Sequence, residues 1–369
     1  MVKERKKYWI FLGLILFVVY FFVAARPIPV ETILLPCWLS SLESGFPISL
    51  GGNLPENSSD GTLIPFRLGD RFGYADAEGR FVLNRPLEGS VSLSRDRWAQ
   101  YDAEPSSIEV LGPQGEKLID IDIEQNRGYP LFLDERIFLI GHEQNTLSAL
   151  DEEGETLWTY DFASPLTCID AAAGLVLTGS LDGVVEVLNS EGKRIFYFEP
   201  GGSRLSLILG CTMSRDGNRL GIISGIDDQR FLVLERYGDG AGTDYRVVYH
   251  EFLTDGFRRA VYISFIDNDS KIVHEQEKGI GIYEIGKRER AFLPLEGDIV
   301  AMDTSGHDGL FFIITAQQEK AKNLVAIKMP GRISIEAPFK TEDVFLGRSG
   351  SMLYIGGGHT LAAFRIDTK

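Results

Sequence analysis

The sequence predicts an all-β fold built from short antiparallel hairpins. The stretch 175–199, LVLTGSLDGVVEVLNSEGKRIFYFE, shows three short strands separated by tight turns at 182–183 and 190–192. The composition agrees, because 40 glycines against 15 prolines fit many tight turns better than long helices. With 44% apolar residues the chain can also fill a substantial core, which excludes a wholly disordered protein.

The same hairpin recurs along the chain at a nearly constant interval. The best copies are GYADAEGRFV, EVLGPQGEKLI, SALDEEGETLW and EVLNSEGKRIF, with their turn glycines at Gly79, Gly115, Gly154 and Gly192. Weaker copies follow near Gly240, at Gly286 and Gly331, and in the C-terminal LAAFRI. A unit of about 40 residues with about four strands is the period of a propeller blade. Eight hairpin sites therefore predict a β-propeller of eight four-stranded blades, with seven blades as the alternative.

The last repeat stops one strand short, because the chain ends at Lys369. A single blade cannot bury both of its faces, so the units must stack, and an N-terminal strand is expected to complete the last blade. The two candidates for this strand are Phe46–Leu50 and a segment within 62–83. Both ends of the chain are thus predicted to close the ring.

The first 25 residues predict a basic cytoplasmic tip followed by a transmembrane helix. Basic residues of the segment Lys3–Lys7 precede Tyr8–Ala25, a run of 18 residues without a charge. At 1.5 Å per residue this run is roughly 27 Å long, enough to cross a bilayer. A cleavable signal peptide is the alternative, since Val23 and Ala25 have the spacing of a cleavage site.

The positive-inside rule places the N-terminus in the cytoplasm. The rest of the chain then lies in the periplasm or outside, held to the cytoplasmic (inner) membrane of a bacterium by a single pass. Residues 26–60 contain five prolines and are predicted to be a linker, with one short amphipathic turn formed by Leu34, Leu35, Trp38, Leu39 and Leu42. Residues 61–369 are assigned to the propeller.

The charge balance argues against a nucleic-acid partner. The net charge is −16, and the first 26 residues carry five basic groups and one acidic group. The remainder therefore holds 32 basic and 52 acidic groups, a balance of −20. An acidic surface repels phosphate backbones, so a protein partner is expected and nucleic acid is not.

The residues that usually carry chemistry are dispersed. Cys37, Cys168 and Cys211 form no CxxC pair, although Cys168 and Cys211 occupy similar points of consecutive repeats and are expected to lie near each other, either as a disulfide or as two buried thiols. The five histidines show no metal-binding spacing: His142, His250, His274, His307 and His359. No catalytic, cofactor-binding or metal-binding residue is therefore predicted.

In GSLDGVVEVLNSEGKRIF and LSALDEEGETLWTYDF the chain resembles the PQQ-like, or quinoprotein-type, propeller repeat. Trp158 supplies the tryptophan of that repeat, and Phe196 stands in its place one repeat later. The resemblance covers roughly Ser106 to Pro200 well and the rest by spacing. WD40 repeats are a looser match, because the chain has no Trp-Asp dipeptide.

The resemblance implies a rigid propeller whose loops surround a channel. The expected function is a membrane-anchored, non-catalytic protein-binding or assembly scaffold of an envelope-associated complex. The alternative is a small-ligand sensor or a quinoprotein-like enzyme that uses the channel, although the cofactor expected for this chain is none.

Partner recognition is expected between Gly192 and Gly331, where the repeat lengthens to 45 or more residues. If blade strands have a fixed length, the additional residues enter loops, and long loops on rigid scaffolds often bind partners. The candidate partner-binding residues are aromatic or cationic, as is common at interface centres. They are Tyr237, Tyr245, Phe257, Arg258 and Arg259.

Overall fold

The computed structural model describes residues 13–15, 17, 18, 20, 31–51, 62–103, 105, 107–122, 128–238, 244–254 and 256–368. Within these ranges 32 β-strands form eight antiparallel sheets, and successive sheets pack against one another as the blades of a propeller. The predicted all-β propeller and its eight blades are confirmed, and the seven-bladed alternative is wrong.

The strands are numbered in chain order, and the blades follow that order. The N-terminal strands, which belong to blade 8, are β1 Thr32–Ser41 and β2 Pro47–Ser49. Blade 1 has, among the described residues, β3 Ile64–Leu68, β4 Arg71–Ala75 and β5 Phe81–Pro86. Blade 2 has β6 Ser90–Leu93, β7 Trp98–Tyr101, β8 Ser107–Leu111 and β9 Lys117–Asp122. Blade 3 has β10 Gly128–Leu133, β11 Arg136–Gly141, β12 Thr146–Leu150 and β13 Thr156–Asp161.

The second half of the ring is built in the same way. Blade 4 has β14 Leu166–Ala172, β15 Leu175–Ser180, β16 Val185–Leu188 and β17 Arg194–Phe198. Blade 5 has β18 Ile208–Met213, β19 Arg219–Ser224, β20 Arg230–Tyr237 and β21 Asp244–Phe252. Blade 6 has β22 Ile263–Ile266, β23 Lys271–Gln276, β24 Gly279–Glu284 and β25 Glu289–Pro294. Blade 7 has β26 Asp298–Asp303, β27 Leu310–Ala316, β28 Ala321–Lys328 and β29 Arg332–Lys340, and blade 8 adds β30 Val344–Ser349, β31 Met352–Gly357 and β32 Thr360–Thr368.

The four strands of a blade are called A to D from the inside outward. The A strands are innermost, because they contact the A strands of neighbouring blades. Antiparallel pairing places the A–B and C–D turns at one end of every blade, here called the C–D face. The B–C turns and the connections to the next blade lie at the opposite end, here called the B–C face. The two faces differ in which loops they present.

The core lies between the blades rather than in one central layer. Blades 4 and 5, for example, share a buried cluster that includes Leu177, Val187, Ile222 and Leu234. Central strands such as β16 and β19 are buried on both sides, because each sheet is covered by a neighbour on either face. The outer strands are more exposed and alternate, which agrees with their position at the rim.

Blade 8 is completed by an N-terminal strand, which confirms the closure prediction, but this strand, β1, lies in neither candidate segment. β1 pairs along its length with β32, from Thr32 opposite Thr368 to Ser41 opposite Thr360. β2, within the candidate Phe46–Leu50, adds only a fifth, edge strand to the same sheet. The second candidate segment contributes to blade 1 instead.

The interpretation of residues 26–60 as a linker with an amphipathic turn was therefore wrong for Thr32–Ser41. Pro36 suggested a break in regular structure, but it lies on the outer D strand at a β-bulge between Pro36 and Trp38. At an edge or bulge a missing N–H is tolerated. The propeller consequently includes residues well before the predicted boundary at 61.

The four predicted turn glycines all have φ near +80°, which confirms the hairpin assignment. Their φ values are +86° at Gly79, +88° at Gly115, +90° at Gly154 and +73° at Gly192. A side chain rarely adopts this conformation, so glycine is the residue that allows the turn. The turns lie on the C–D face, because β5 leads directly into the A strand of blade 2 and the described strands β3, β4 and β5 of blade 1 are therefore strands B, C and D.

Cys168 and Cys211 are neighbours, as predicted, on the A strands of blades 4 and 5. Both are free thiols. The hydrogen bond with Cys168, together with burial, raises the pKa of the Cys211 thiol well above its ordinary value. The thiolate that would start disulfide exchange is therefore disfavoured at Cys211.

Most of the predicted transmembrane run, 8–25, lies outside the described residues. Residues 13–15, 17, 18 and 20 are described, and they are helical. No helix within the described part of the chain is long and apolar enough to span a bilayer.

Candidate protein-interaction surface

The structure separates the five predicted partner-binding residues into two groups at opposite ends of one strand. Tyr237 and Tyr245 lie where β20 and β21 meet the C–D face. Phe257, Arg258 and Arg259 lie in the connection from β21 to β22, on the B–C face. β21 has nine residues, so the two groups are about 30 Å apart and do not form one site.

Tyr245 belongs to the core and is a correction to the predicted site. Only 5% of it is exposed, its hydroxyl donates to the Gly217 carbonyl at 2.5 Å, and its ring packs against Phe196 at 5.1 Å. Burial raises the pKa of Tyr245 to about 12. Tyr237 is exposed, but its hydroxyl donates to Asp244 in the same hairpin.

Arg259 is also held by its own domain. Its guanidinium makes two hydrogen bonds to the carboxylate of Glu275, at 2.6 and 3.0 Å, and Glu275 is only 1% exposed. The hydrogen bond to Glu275 raises the pKa of Arg259 further. The guanidinium also lies 4.5 Å from the centroid of the half-buried Phe257 ring. Phe257 and Arg259 therefore stabilise the connection through contacts within the domain.

The buried side chain of Gln229 stabilises the same connection. The Gln229 amide donates to the carbonyls of Gly225 and Phe257, at 3.1 and 3.3 Å, and Gln229 accepts from the Phe257 N–H at 3.5 Å. The backbone of Gln229 also accepts from Leu253 N–H at 2.8 Å. The connection thus has fixed points at several residues and is preorganised.

Arg258 differs from its two neighbours. It is exposed, and within the described part of the chain it has no hydrogen bond or ion pair. It therefore presents an unpaired cation from a loop whose adjacent residues are tied down. Of the five predicted residues, Arg258 therefore remains a candidate partner contact on the B–C face.

An open groove lies beside this connection, between the outer parts of blades 5 and 6. It has a volume of about 510 Å³, and its walls include the aromatic side chains of Phe252 and Phe292, which are about half exposed. Glu251 and Arg290 also line it and pair with each other at 2.8 Å. Glu251 and Arg290 therefore neutralise each other, while the aromatic rings of Phe252 and Phe292 remain accessible.

Two exposed leucines extend the apolar area toward blade 4. Leu205, in the connection from β17 to β18, and Leu181, in the β15–β16 turn, are each more than half exposed. Their loops touch, because Ser206 Oγ donates to the Asp182 carbonyl at 3.4 Å. Arg230 links this connection to the groove: it donates to the Pro200 and Gly201 carbonyls and lies 5.1 Å from the Phe252 ring.

The blade 4–6 surface is defined here by four exposed apolar side chains and two cations on the B–C side of these blades. Its members are Leu181, Leu205, Phe252, Phe292, Arg204 and Arg258. Large aromatic residues together with arginine are typical of interface centres. Sequence reasoning missed the apolar members, because an exposed apolar residue on an outer strand looks like a buried one in an alternating pattern. Only Leu205, within the Gly- and Ser-rich GGSRLS, carried a usable signal.

No comparable arrangement for catalysis or metal binding occurs in the described residues. They contain no group of three or more His, Cys, Asp and Glu side chains placed to hold a metal ion. His274 is buried, and burial lowers its pKa to about 4. The carboxylate of Asp170, on the A strand of blade 4, already links this blade to blade 5. It accepts hydrogen bonds from the Met213 N–H at 2.8 Å and from the Thr212 hydroxyl at 3.1 Å.

A smaller polar cavity of about 200 Å³ lies between blades 3 and 4. Its central carboxylate, Glu186, already accepts from Arg194 at 2.8 Å and from the Tyr160 hydroxyl at 3.1 Å. Glu186 and Arg194 therefore neutralise each other in this cavity.

Comparison with known proteins agrees with the architecture. A family model described as "beta-propeller protein" matches residues 1–368. An uncharacterized protein of Treponema pallidum (strain Nichols) is 27% identical over 372 residues, covering 99% of this chain and 95% of that protein. Neither description names a catalytic activity.

Solved structures show the same fold at low identity. BamB from Moraxella catarrhalis has a TM-score of 0.59 and 14% identity, covering 90% of this chain and 100% of that one. The computationally designed Ika8 protein also has a TM-score of 0.59 at 14% identity, covering 86% and 98%. A chain of a mitotic checkpoint complex has a TM-score of 0.55 at 14% identity, with the same coverage. At this identity the likeness concerns the fold alone.

Proposed function

Because the chain belongs to the beta-propeller protein family, we propose that it is a non-catalytic scaffold that binds a protein partner through the blade 4–6 surface. The rigid ring supplies fixed loops, and those loops carry the recognition. A propeller of this fold occurs as one chain of a checkpoint complex, so the architecture is compatible with assembly into larger complexes.

The observation that carries the proposal is the exposed Arg258, which has no hydrogen bond or ion pair within the described residues and lies on the same side of the blades as the exposed rings of Phe252 and Phe292. Its neighbours are tied to Gln229 and Glu275, so presenting Arg258 to a partner orders few additional residues. An exposed arginine on a domain with a large acidic excess is suited to a carboxylate of the partner. Phe252 and Phe292 then supply apolar area.

We further propose that residues 8–25 anchor the propeller in the cytoplasmic (inner) membrane and that the propeller lies in the periplasm. The uncharged run and the preceding basic cluster support this arrangement. The described apolar side chains of the run are 43–69% exposed, so the propeller does not cover them: Leu14, Ile15, Phe17, Val18 and Tyr20. A lipid environment would cover these side chains.

The scaffold proposal is tested by partner capture with matched surface variants. Leu205→Ser with Phe252→Ser removes exposed apolar area from the blade 4–6 surface, and Leu118→Ser with Leu157→Ser does the same on the outer strands of blades 2 and 3. Both tagged variants are expressed in native cells and purified from solubilised membranes, and co-purified proteins are quantified by mass spectrometry. The first pair is expected to lose a partner that the parent and the second pair retain. Equal capture by both variants would contradict the proposal.

A further inference from the structure

We propose that the C–D face of the propeller rests against an anionic lipid surface at blades 7 and 8, so that the B–C face points away from the membrane. This inference depends on the proposed N-terminal anchor and specifies the orientation that the fold gives to it. The surface in contact with lipid is the rim formed by the start of β1 and the C–D turn of blade 7.

The proposed anchor joins the propeller at the C–D face. Thr32, the first residue of β1, pairs with Thr368 near the end of β32, and both lie at the C–D face of blade 8. Only residues 26–31 separate the proposed anchor from this point. Six residues span at most about 20 Å when fully extended, so this rim is held near the bilayer.

The C–D turns of blades 7 and 3 carry opposite charge. The turn of blade 7, residues 328–332, contains Lys328 and Arg332 and no acidic residue, a balance of +2. The turn of blade 3, residues 151–155, contains four acidic residues and no basic one, a balance of −4. Blades 3 and 7 lie opposite each other in an eight-bladed ring. Of these two opposite turns, the turn of blade 7 is therefore the one suited to anionic headgroups.

An exposed apolar residue lies at the start of β1, where the chain enters the propeller. Ile33 follows Thr32 directly and is 38% exposed, although its strand pairs with β32 throughout. Arg332 lies on the outer strand of the adjacent blade 7, is exposed, and has no ion pair within the described residues. An exposed isoleucine and an exposed arginine on the same rim suit the interface between headgroups and acyl chains.

This orientation agrees with the proposed partner surface. The blade 4–6 surface lies on the B–C face, away from both chain ends. A partner could therefore approach it without competing with lipid.

The test uses the full chain reconstituted in vesicles of phosphatidylethanolamine and phosphatidylglycerol. Single cysteines are introduced by Arg332→Cys, Glu152→Cys and Arg204→Cys, labelled with a fluorophore, and quenched by a lipid that carries a quencher on its headgroup. The parent, labelled in the same way, gives the background from the three native cysteines, of which two are buried and one half-buried. Quenching is expected to be strongest at position 332, weaker at 152 and near background at 204.

Charge reversal provides an independent readout. Lys328→Glu with Arg332→Glu, measured with a label at Arg288→Cys on the neighbouring turn, is expected to reduce quenching about twofold or more. Vesicles without phosphatidylglycerol should have a similar effect on the unreversed chain.

The outcomes separate the orientation from the anchor. If the chain floats with vesicles but position 204 is quenched as strongly as position 332, the orientation is wrong and the anchor stands. If the chain does not float with vesicles, both the proposed anchor and the proposed orientation are wrong.

Discussion

The indole ring of Trp38 lies directly on the backbone of Gly79. A Cβ atom built at Gly79 would be 2.5 Å from a ring carbon of Trp38, and the indole N–H donates to the Ala77 carbonyl at 2.8 Å. Trp158 and Gly192 repeat this relationship between blades 3 and 4, with the same 2.5 Å approach and an indole hydrogen bond to Ser190 at 2.9 Å. The chain ends thus close the ring with the same contact that joins two consecutive blades.

Replacing Trp38 should therefore weaken the closure of the ring. Trp38 is almost fully buried, so Trp38→Ala is expected to lower the free energy of unfolding by about 3–5 kcal/mol. Trp38→Phe retains an aromatic ring and loses mainly the hydrogen bond, with an expected loss of about 1–2 kcal/mol. Urea unfolding followed by tryptophan fluorescence and circular dichroism measures both. Equal stability of Trp38→Ala and the parent would show that this contact is not needed for closure.

The glycine side of the contact gives a matched pair of substitutions. Gly79→Ala places a methyl group against the Trp38 ring, whereas Gly174→Ala, at a similar φ of +76°, meets nothing within 4 Å. Gly174→Ala should lose only about 1 kcal/mol from backbone strain. Gly79→Ala should lose clearly more, and thermal unfolding measures the difference. If the two variants melt together, backbone strain alone explains the glycine.

Deleting Leu361–Lys369 should abolish cooperative unfolding. β32 lies between β31 and β1, so its loss also detaches β1 from the sheet and leaves strand edges exposed. Replacing residues 47–49 by Gly-Ser-Gly is the control, since β2 is only an edge strand. Calorimetry should show a single transition for the control and none for the deletion. A deletion variant that melts like the parent would disprove closure by both ends.

His274 should make the propeller less stable in mild acid. Its pKa is lowered to about 4 by burial, although Glu251 partly opposes this, while in the unfolded chain it is near 6.5. Between these values the unfolded chain binds a proton that the folded chain does not, so stability falls as the pH drops below about 6.5. The contribution between pH 7 and pH 5 is about 2 kcal/mol.

The measurement compares urea unfolding at pH 7 and pH 5 for the parent, His274→Gln and the exposed His359→Gln. His274→Gln should lose this part of the pH dependence, and His359→Gln should keep it. A pH dependence that is the same in all three proteins would count against a neutral buried His274.

Arg258 and Arg259 are adjacent but should behave differently. Arg258→Ala removes an exposed side chain that has no hydrogen bond or ion pair within the described residues, and it should leave the melting temperature nearly unchanged. Arg259→Ala leaves the buried Glu275 carboxylate without its cation and should lower the free energy of unfolding by about 1–3 kcal/mol. Thermal unfolding of the two variants measures this, and equal melting temperatures would contradict the assigned roles.

The turns and blades could be predicted because their signals are local. A glycine with positive φ between two short strands is recognisable within ten residues, and its recurrence gave the number of blades. β1 could not be predicted in the same way, because its partner β32 lies at the other end of the chain and Pro36 resembled a break. Trp38 was therefore interpreted as part of a short amphipathic turn in the linker, although it occupies the place of Trp158.

The longer repeats also differed from expectation. The additional residues entered strands as well as loops: β28 and β29 have eight and nine residues, whereas β16 and β17 have four and five. For the candidate site, exposure depended on partners far along the chain. The Tyr245 hydroxyl donates a hydrogen bond to the Gly217 carbonyl, and the Arg259 guanidinium donates to the Glu275 carboxylate. Neither pairing leaves a pattern in the sequence.

The central claim is that a protein partner binds the blade 4–6 surface, and site-specific photo-crosslinking in native cells tests it most directly. A photoreactive phenylalanine analogue is placed at Leu205, Phe252 or Arg258, and at Leu118 or Leu157 as exposed controls on blades 2 and 3. We expect the first three positions to crosslink to the same protein and the controls to give no such product. Crosslinks to that protein from the control positions alone, or from no position of the blade 4–6 surface, would contradict the claim.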